Sequence, residues 1–169
     1  ADGEPTPYAT TSITTPCQSH SAPWYESFDA TPFGTPTCWE RKSGALPETG
    51  TIQTSSLTTI SSGWYYGDYT IAGETSGMLR MNVYSTNKYW VITPSINLGD
   101  GSTTYKFSCK AALANYDDGG VPESAPDDKF AVLVSTDNGI SWNVANGVIY
   151  ADGDTDTEHN YSDLNNSWT

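Results

Sequence analysis

Asn87-Lys88-Tyr89-Trp90-Val91-Ile92-Thr93-Pro94-Ser95-Ile96-Asn97-Leu98 is the stretch on which the reading of the fold turns. Tyr89 to Ile92 are strand formers, Thr93-Pro94 interrupts the run, and Ile96 and Leu98 resume the alternation. The pattern is a strand with a proline-marked kink or edge, and nothing in it is catalytic.

The same period of two recurs on both sides. Met78, Arg80, Asn82 and Tyr84 alternate with Leu79, Met81 and Val83. Further strands are expected at residues 24–29, 37–42, 88–93, 104–112, 130–135, 140–144 and 148–150. Alternation on the central ones places Trp90, Ile92, Phe107, Phe130 and Val132 in the core. Residues 43–59 are polar and weakly patterned, and residues 1–22 are rich in Thr, Ser and Pro and read as an extended linker from a multi-domain parent. Residues 23–169 then form one domain. Strands and turns with no intervening helices indicate an all-β sandwich or jelly roll. The absence of an internal repeat argues against a propeller.

Composition agrees. Aromatic residues make up 12% of the 169 residues, with 15 Gly and 10 Pro, which favours short strands and many turns. No apolar run approaches the ~18 residues of a membrane span. Twenty acidic side chains against 7 basic ones leave a net charge of −13, which argues against nucleic acid as a partner, because phosphate binding needs clustered Lys and Arg. Carboxylates crowd residues 117–163, where Lys129 is the lone cation. They read either as solvated loops or as ligands for calcium, which takes roughly six to eight oxygens.

Of the 3 cysteines, Cys17 and Cys38 flank the first expected strand and are placed to form a disulfide, as suits an exported protein. Cys109 alternates with Phe107 and Tyr105 and is expected to be a small buried hydrophobe. A zinc site is disfavoured, with only His20 and His159 to help.

Three motifs bear on function. Ser135-Thr-Asp-Asn-Gly-Ile-Ser-Trp142 resembles the Asp-box of sialidases. Asp137 can bond to the turn's own amides, Gly139 can take a positive φ and Trp142 can pack beneath, so one copy reads as a structural hairpin. Asp152, Asp154 and Asp156, continued by Glu158, Asn160 and Asp163, resemble the spacing of an EF-hand loop, but Thr157 replaces its glycine. A calcium loop and an acidic solvated turn both remain open there. Trp64, Tyr65, Tyr66 and Tyr69 could stack on sugar rings with Asp68 bonding to hydroxyls, or the rings could fill the sandwich interior. No nucleophile–base pair and no phosphate-binding glycine loop are present, so the expectation is no enzyme.

The opening stretch, together with Pro23-Trp-Tyr-Glu-Ser-Phe-Asp29, Pro36-Thr-Cys-Trp39, Thr104-Tyr-Lys-Phe-Ser-Cys109 and Lys129-Phe-Ala-Val-Leu-Val-Ser135, resembles the ordered signature of the MAM-like jelly-roll domains called cleaved-adhesin or choice-of-anchor domains, found in gingipain haemagglutinin regions. The resemblance covers roughly residues 23–150 and implies a jelly-roll adhesin module of a secreted or cell-surface bacterial protein, binding glycans or host proteins. It also implies calcium at Asp29 with Glu26, with Asp127 and Asp128 as further candidates. Domains of that family continue through two more strands, so the missing strands are expected from a continuation of the chain or from another chain. Two other readings stand beside it: an accessory carbohydrate-binding module of a secreted peptidase or glycosidase, and a structural spacer in a long adhesin.

Overall fold

A computed structural model describes residues 17–29, 38–71, 73–83, 85–114 and 129–151. Those residues are all-β. The strands are β1 (His20–Ser21), β2 (Glu40–Ser43), β3 (Thr51–Gln53), β4 (Thr58–Thr59), β5 (Trp64–Ile71), β6 (Glu74–Met81), β7 (Tyr89–Ile92), β8 (Ile96–Asn97), β9 (Lys129–Leu133), β10 (Ser141–Asn143) and β11 (Gly147–Ala151). Single 3-10 turns at Thr54–Ser56 and Val144–Asn146 are the only helical elements among the described residues. Small sheets of this kind, almost all antiparallel, are consistent with a β-sandwich.

The opening stretch forms β7 and β8, separated at Thr93-Pro94 as the proline requires. β7 pairs with β2, and β4 lies on the other side of β2. The Trp90 indole N–H donates to the Gly44 carbonyl at 2.7 Å, stitching β7 to the residue after β2. Lys42 at the centre of this sheet pairs with Glu40 at 2.9 Å and donates to Thr59 on β4 at 2.9 Å. β8 runs parallel to β1, with His20 opposite Ile96. The folded part therefore includes residues from Cys17 onward, ahead of the boundary at residue 23 that the pattern suggested.

Leu57, Met78 and Ile92 are the buried apolar side chains among the described residues. Of the expected core, Ile92 is buried, while Trp90, Phe130 and Val132 are half-buried. Phe107 is a correction: it is 61% exposed. The strand expected at residues 104–112 is not formed, and Cys109 is exposed rather than buried. Alternation gives a segment two unlike faces, but burial needs a second layer over one of them, and no described element supplies it.

Residues 24–29 also form no strand. Phe28 has φ 57°, and its amide is capped by the Glu26 carboxylate at 3.0 Å, so the backbone turns instead of extending. In place of a ladder, this segment is held by rings. His20 stacks on Trp24 at 4.5 Å, Trp24 meets Trp39 at 6.1 Å, and Phe28 packs edge-on to Trp39 at 5.4 Å. The Cys17–Cys38 disulfide, with Cα atoms 5.6 Å apart, closes the loop beside Trp39.

Candidate functional site

β5 and β6 form the longest hairpin of the described chain, in register from Trp64 opposite Met81 to Ile71 opposite Glu74. The aromatic run, which lies between the expected strands, is therefore itself a strand. Gly67 and Asp68 interrupt its sequence, but the pairing tolerates both: Gly67 lies opposite Met78 and Asp68 opposite Gly77.

Because side chains alternate across a strand, the hairpin sorts the candidate ligand residues onto two faces. Tyr65 and Tyr69 share one face with Met78 and Arg80; Trp64, Tyr66 and Asp68 share the other with Leu79 and Met81. Asp68 thus cannot serve a sugar lying on Tyr69. On the first face the Arg80 guanidinium sits over the Tyr69 ring, 4.0 Å from its centroid, and lies directly opposite Tyr65 in the register. In the sequence Arg80 is one residue of an alternating strand; its relation to the tyrosines is set by the pairing.

Both faces meet protein: Met78 at the centre of the first is 7% exposed, and residues 28–29 lie against the second. A Cβ on Gly77 would lie 2.6 Å from the Phe28 carbonyl carbon and oxygen and from Asp29 Oδ1, so residues 28–29 lie against the hairpin there. The indole nitrogen of Trp64 is buried with no hydrogen-bond partner among the described residues, and its carbonyl accepts from Arg41 at 3.2 Å. A Cβ on Gly63, whose φ is 97°, would lie 3.1 Å from the Tyr89 ring, so only glycine lets β5 begin this close to β7. Trp64 accordingly belongs to the packing.

Of the expected metal ligands, Asp127, Asp128, Asp152, Asp154 and Asp156 lie outside the described residues. Glu26 caps Phe28, and Asp29 is exposed, its amide donating to Ser27 Oγ at 3.3 Å. No group of three or more His, Cys, Asp or Glu side chains gathers among the described residues.

The Asp-box sequence forms a closed polar turn. Asn138 and Gly139 have φ 59° and 78°, which the Asn-Gly pair permits at small cost. The Ser135 hydroxyl donates to Asp137 Oδ1 at 2.7 Å and accepts from the Gly139 amide at 2.8 Å. Asp137 also accepts from the Ser141 amide at 2.9 Å and from the Ser141 hydroxyl. The Trp142 indole N–H donates to Thr54 Oγ1 at 2.7 Å, and that hydroxyl donates on to the Gly139 carbonyl. With β10 paired to β3, Trp142 opposite Ile52, the turn is fixed to a strand from a distant part of the chain. Ser135, Asp137 and Ser141 thus spend their side-chain oxygens within the turn, as a structural role requires.

The hydroxyls of Ser135 and Ser141, followed by the Ser141 amide, hold the Asp137 carboxyl down at about 2, from an ordinary 3.8. A group whose folded pKa is depressed stabilises the fold above its unfolded pKa and loses that contribution as pH falls through the folded value. The melting-temperature gap between the wild type and Asp137→Asn is therefore expected to be constant at neutral pH and to close between about pH 3.8 and about pH 2. A gap that persists unchanged to the bottom of that window would contradict the assignment.

No helix among the described residues is long and apolar enough to cross a membrane. No family model, curated protein or solved structure matches the chain.

Proposed function

We propose that the chain is a non-catalytic glycan-binding module of a secreted or surface-attached protein, with a jelly-roll-like sandwich of the adhesin type. Its binding face is the one carrying Tyr65, Tyr69 and Arg80. The observation that carries this reading is the alternation of β5, which gathers two half-buried tyrosines and a guanidinium on one face around the buried Met78. Four residues apart on a strand, the two Cα atoms are about 13 Å from each other, a spacing suited to a short oligosaccharide rather than a single sugar. The rings supply flat apolar surface for the C–H faces of sugars, and Arg80 supplies donors for hydroxyl or carboxylate oxygens. The Cys17–Cys38 disulfide supports an oxidising compartment.

Binding to an oligosaccharide array, followed by titration of the best ligand, tests the reading. Tyr69→Ala and Arg80→Ala are each expected to weaken binding by about tenfold, a change of ~1.4 kcal/mol, and Tyr66→Ala on the opposite face to leave it unchanged. No retained glycan, or equal losses from Tyr66→Ala and Tyr69→Ala, would remove the support. Calcium forms part of the same proposal, held by Asp29 with Glu26 or by the acidic segments that hold Asp127, Asp128, Asp152, Asp154 and Asp156. A ~100-fold excess over its Kd is expected to add about 2.7 kcal/mol of stability, read as a higher melting temperature in calcium than in chelator. Asp29→Ala and Asp154→Ala, measured separately, divide the two locations.

A further inference from the structure

Residues 104–112 pose a problem that the glycan reading does not touch. The run has no turn or bend, and residues 104–110 are all exposed. Its sequence is nevertheless that of a half-buried strand: Tyr105, Phe107, Cys109, Ala111 and Leu113 alternate with Thr104, Lys106, Ser108, Lys110 and Ala112. Tyr105 is 40% and Phe107 61% exposed. Among the described residues it joins no ladder, and Leu113 alone makes an isolated bridge. An exposed alternating segment with no ladder among the described residues offers its backbone for pairing with another strand.

We infer that residues 104–114 are a self-association edge, occupied by the same segment of a second copy in antiparallel, two-fold arrangement. Charge and length select the register. Centred on Cys109, the whole run overlaps its mate: Phe107 faces Ala111, Tyr105 faces Leu113, Lys106 faces Ala112 and Lys110 faces Ser108. Large rings meet smaller side chains on one face, and no like charges stand opposite each other on the other. A shift that centres on Ser108 sets Lys106 against Lys110 twice, and a centre on Phe107 shortens the overlap. The segment also holds two lysines and no carboxylate in a chain of net charge −13, so it is where two copies repel each other least. The contact is isologous, as a two-fold dimer requires.

The register can be read through Cys109, which is free and exposed and lies opposite its own mate. In a buffer of oxidised and reduced glutathione, two Cys109 thiols are oxidised to one disulfide while glutathione disulfide is reduced to two thiols. The full chain is expected to give a Cys109–Cys109 dimer on non-reducing electrophoresis. Moving the thiol, as Ala111→Cys in a Cys109→Ser background that keeps Phe107, is expected to crosslink several-fold more slowly, because position 111 then faces position 107. Cys109→Ser alone is expected to remain a non-covalent dimer by sedimentation equilibrium, and Phe107→Asp to be monomeric with an unchanged β-type circular dichroism spectrum. Monomeric Cys109→Ser at all concentrations, equal crosslinking at the two positions, or a dimer that survives Phe107→Asp overturns the inference.

Discussion

Replacing both Cys17 and Cys38 by Ser is expected to lower the melting temperature by about 10 °C. The bridge closes a loop with a sequence separation of 21. Loop-closure entropy for a ring of that size contributes about 3 kcal/mol by constraining the unfolded chain. For a chain of this length each kcal/mol moves the midpoint by roughly 2–4 °C. A second effect adds in the same direction, because Cys38 precedes Trp39, the ring on which both Trp24 and Phe28 depend. With no strand at residues 24–29, the ring contacts and the disulfide do the work a ladder does elsewhere. Thermal melts with and without reductant check the value, and the reduced wild type is expected to coincide with the double variant. A reductant-insensitive midpoint would show that the N-terminal segment is held by its rings alone.

Trp142→Ala is expected to cost about 3 kcal/mol, the low end for a tryptophan truncation because the side chain is half-buried. The ring lies under the turn, with Cζ2 3.9 Å from the position a Cβ would take on Gly139, and its N–H holds the Thr54 hydroxyl that in turn holds the Gly139 carbonyl. Trp142→Phe keeps most of the apolar area and loses the hydrogen bond, so its cost is about 1 kcal/mol. Ile140→Ala, at a side chain that is 64% exposed in the same turn, is expected to stay within about 0.5 kcal/mol. Urea unfolding of the three variants orders them. Near-equal effects of Trp142→Ala and Ile140→Ala would mean that the turn is not anchored through the indole. The ordering matters for function as well, since it tests whether Ser135, Asp137 and Ser141 serve as scaffold.

Much of the local structure was legible beforehand. Tyr89 to Ile92 form a strand because they are β-branched and aromatic, and Thr93-Pro94 ends it because proline cannot donate to a ladder. Asn138-Gly139 makes a tight reversal because both residues tolerate positive φ. Four strands were not legible. β1 lies in the stretch that reads as a linker, β3 and β4 lie in a polar stretch with weak alternation, and β5 carries Gly67 and Asp68 at its centre. β5 forms because β6 pairs with it along its whole length, a contact that local propensity does not report.

The candidate site divides along the same line. That Trp64 to Tyr69 could present rings to a sugar follows from residue type alone. Which rings share a face was settled by pairing: Tyr65 and Tyr69 stand together, Arg80 arrives from the opposite strand, and Trp64 is turned into the protein. Residues 104–112 show the converse case, an alternating sequence whose apolar face no described layer covers. Sequence by itself determined the all-β class, the Asn-Gly turn and the two-faced character of each alternating run, because these depend on φ preferences and on a side-chain period of two, which act over a few residues. Tertiary structure alone decided which face is buried, which strands meet and where Arg80 stands relative to Tyr69, because burial and pairing depend on residues brought together from distant parts of the chain.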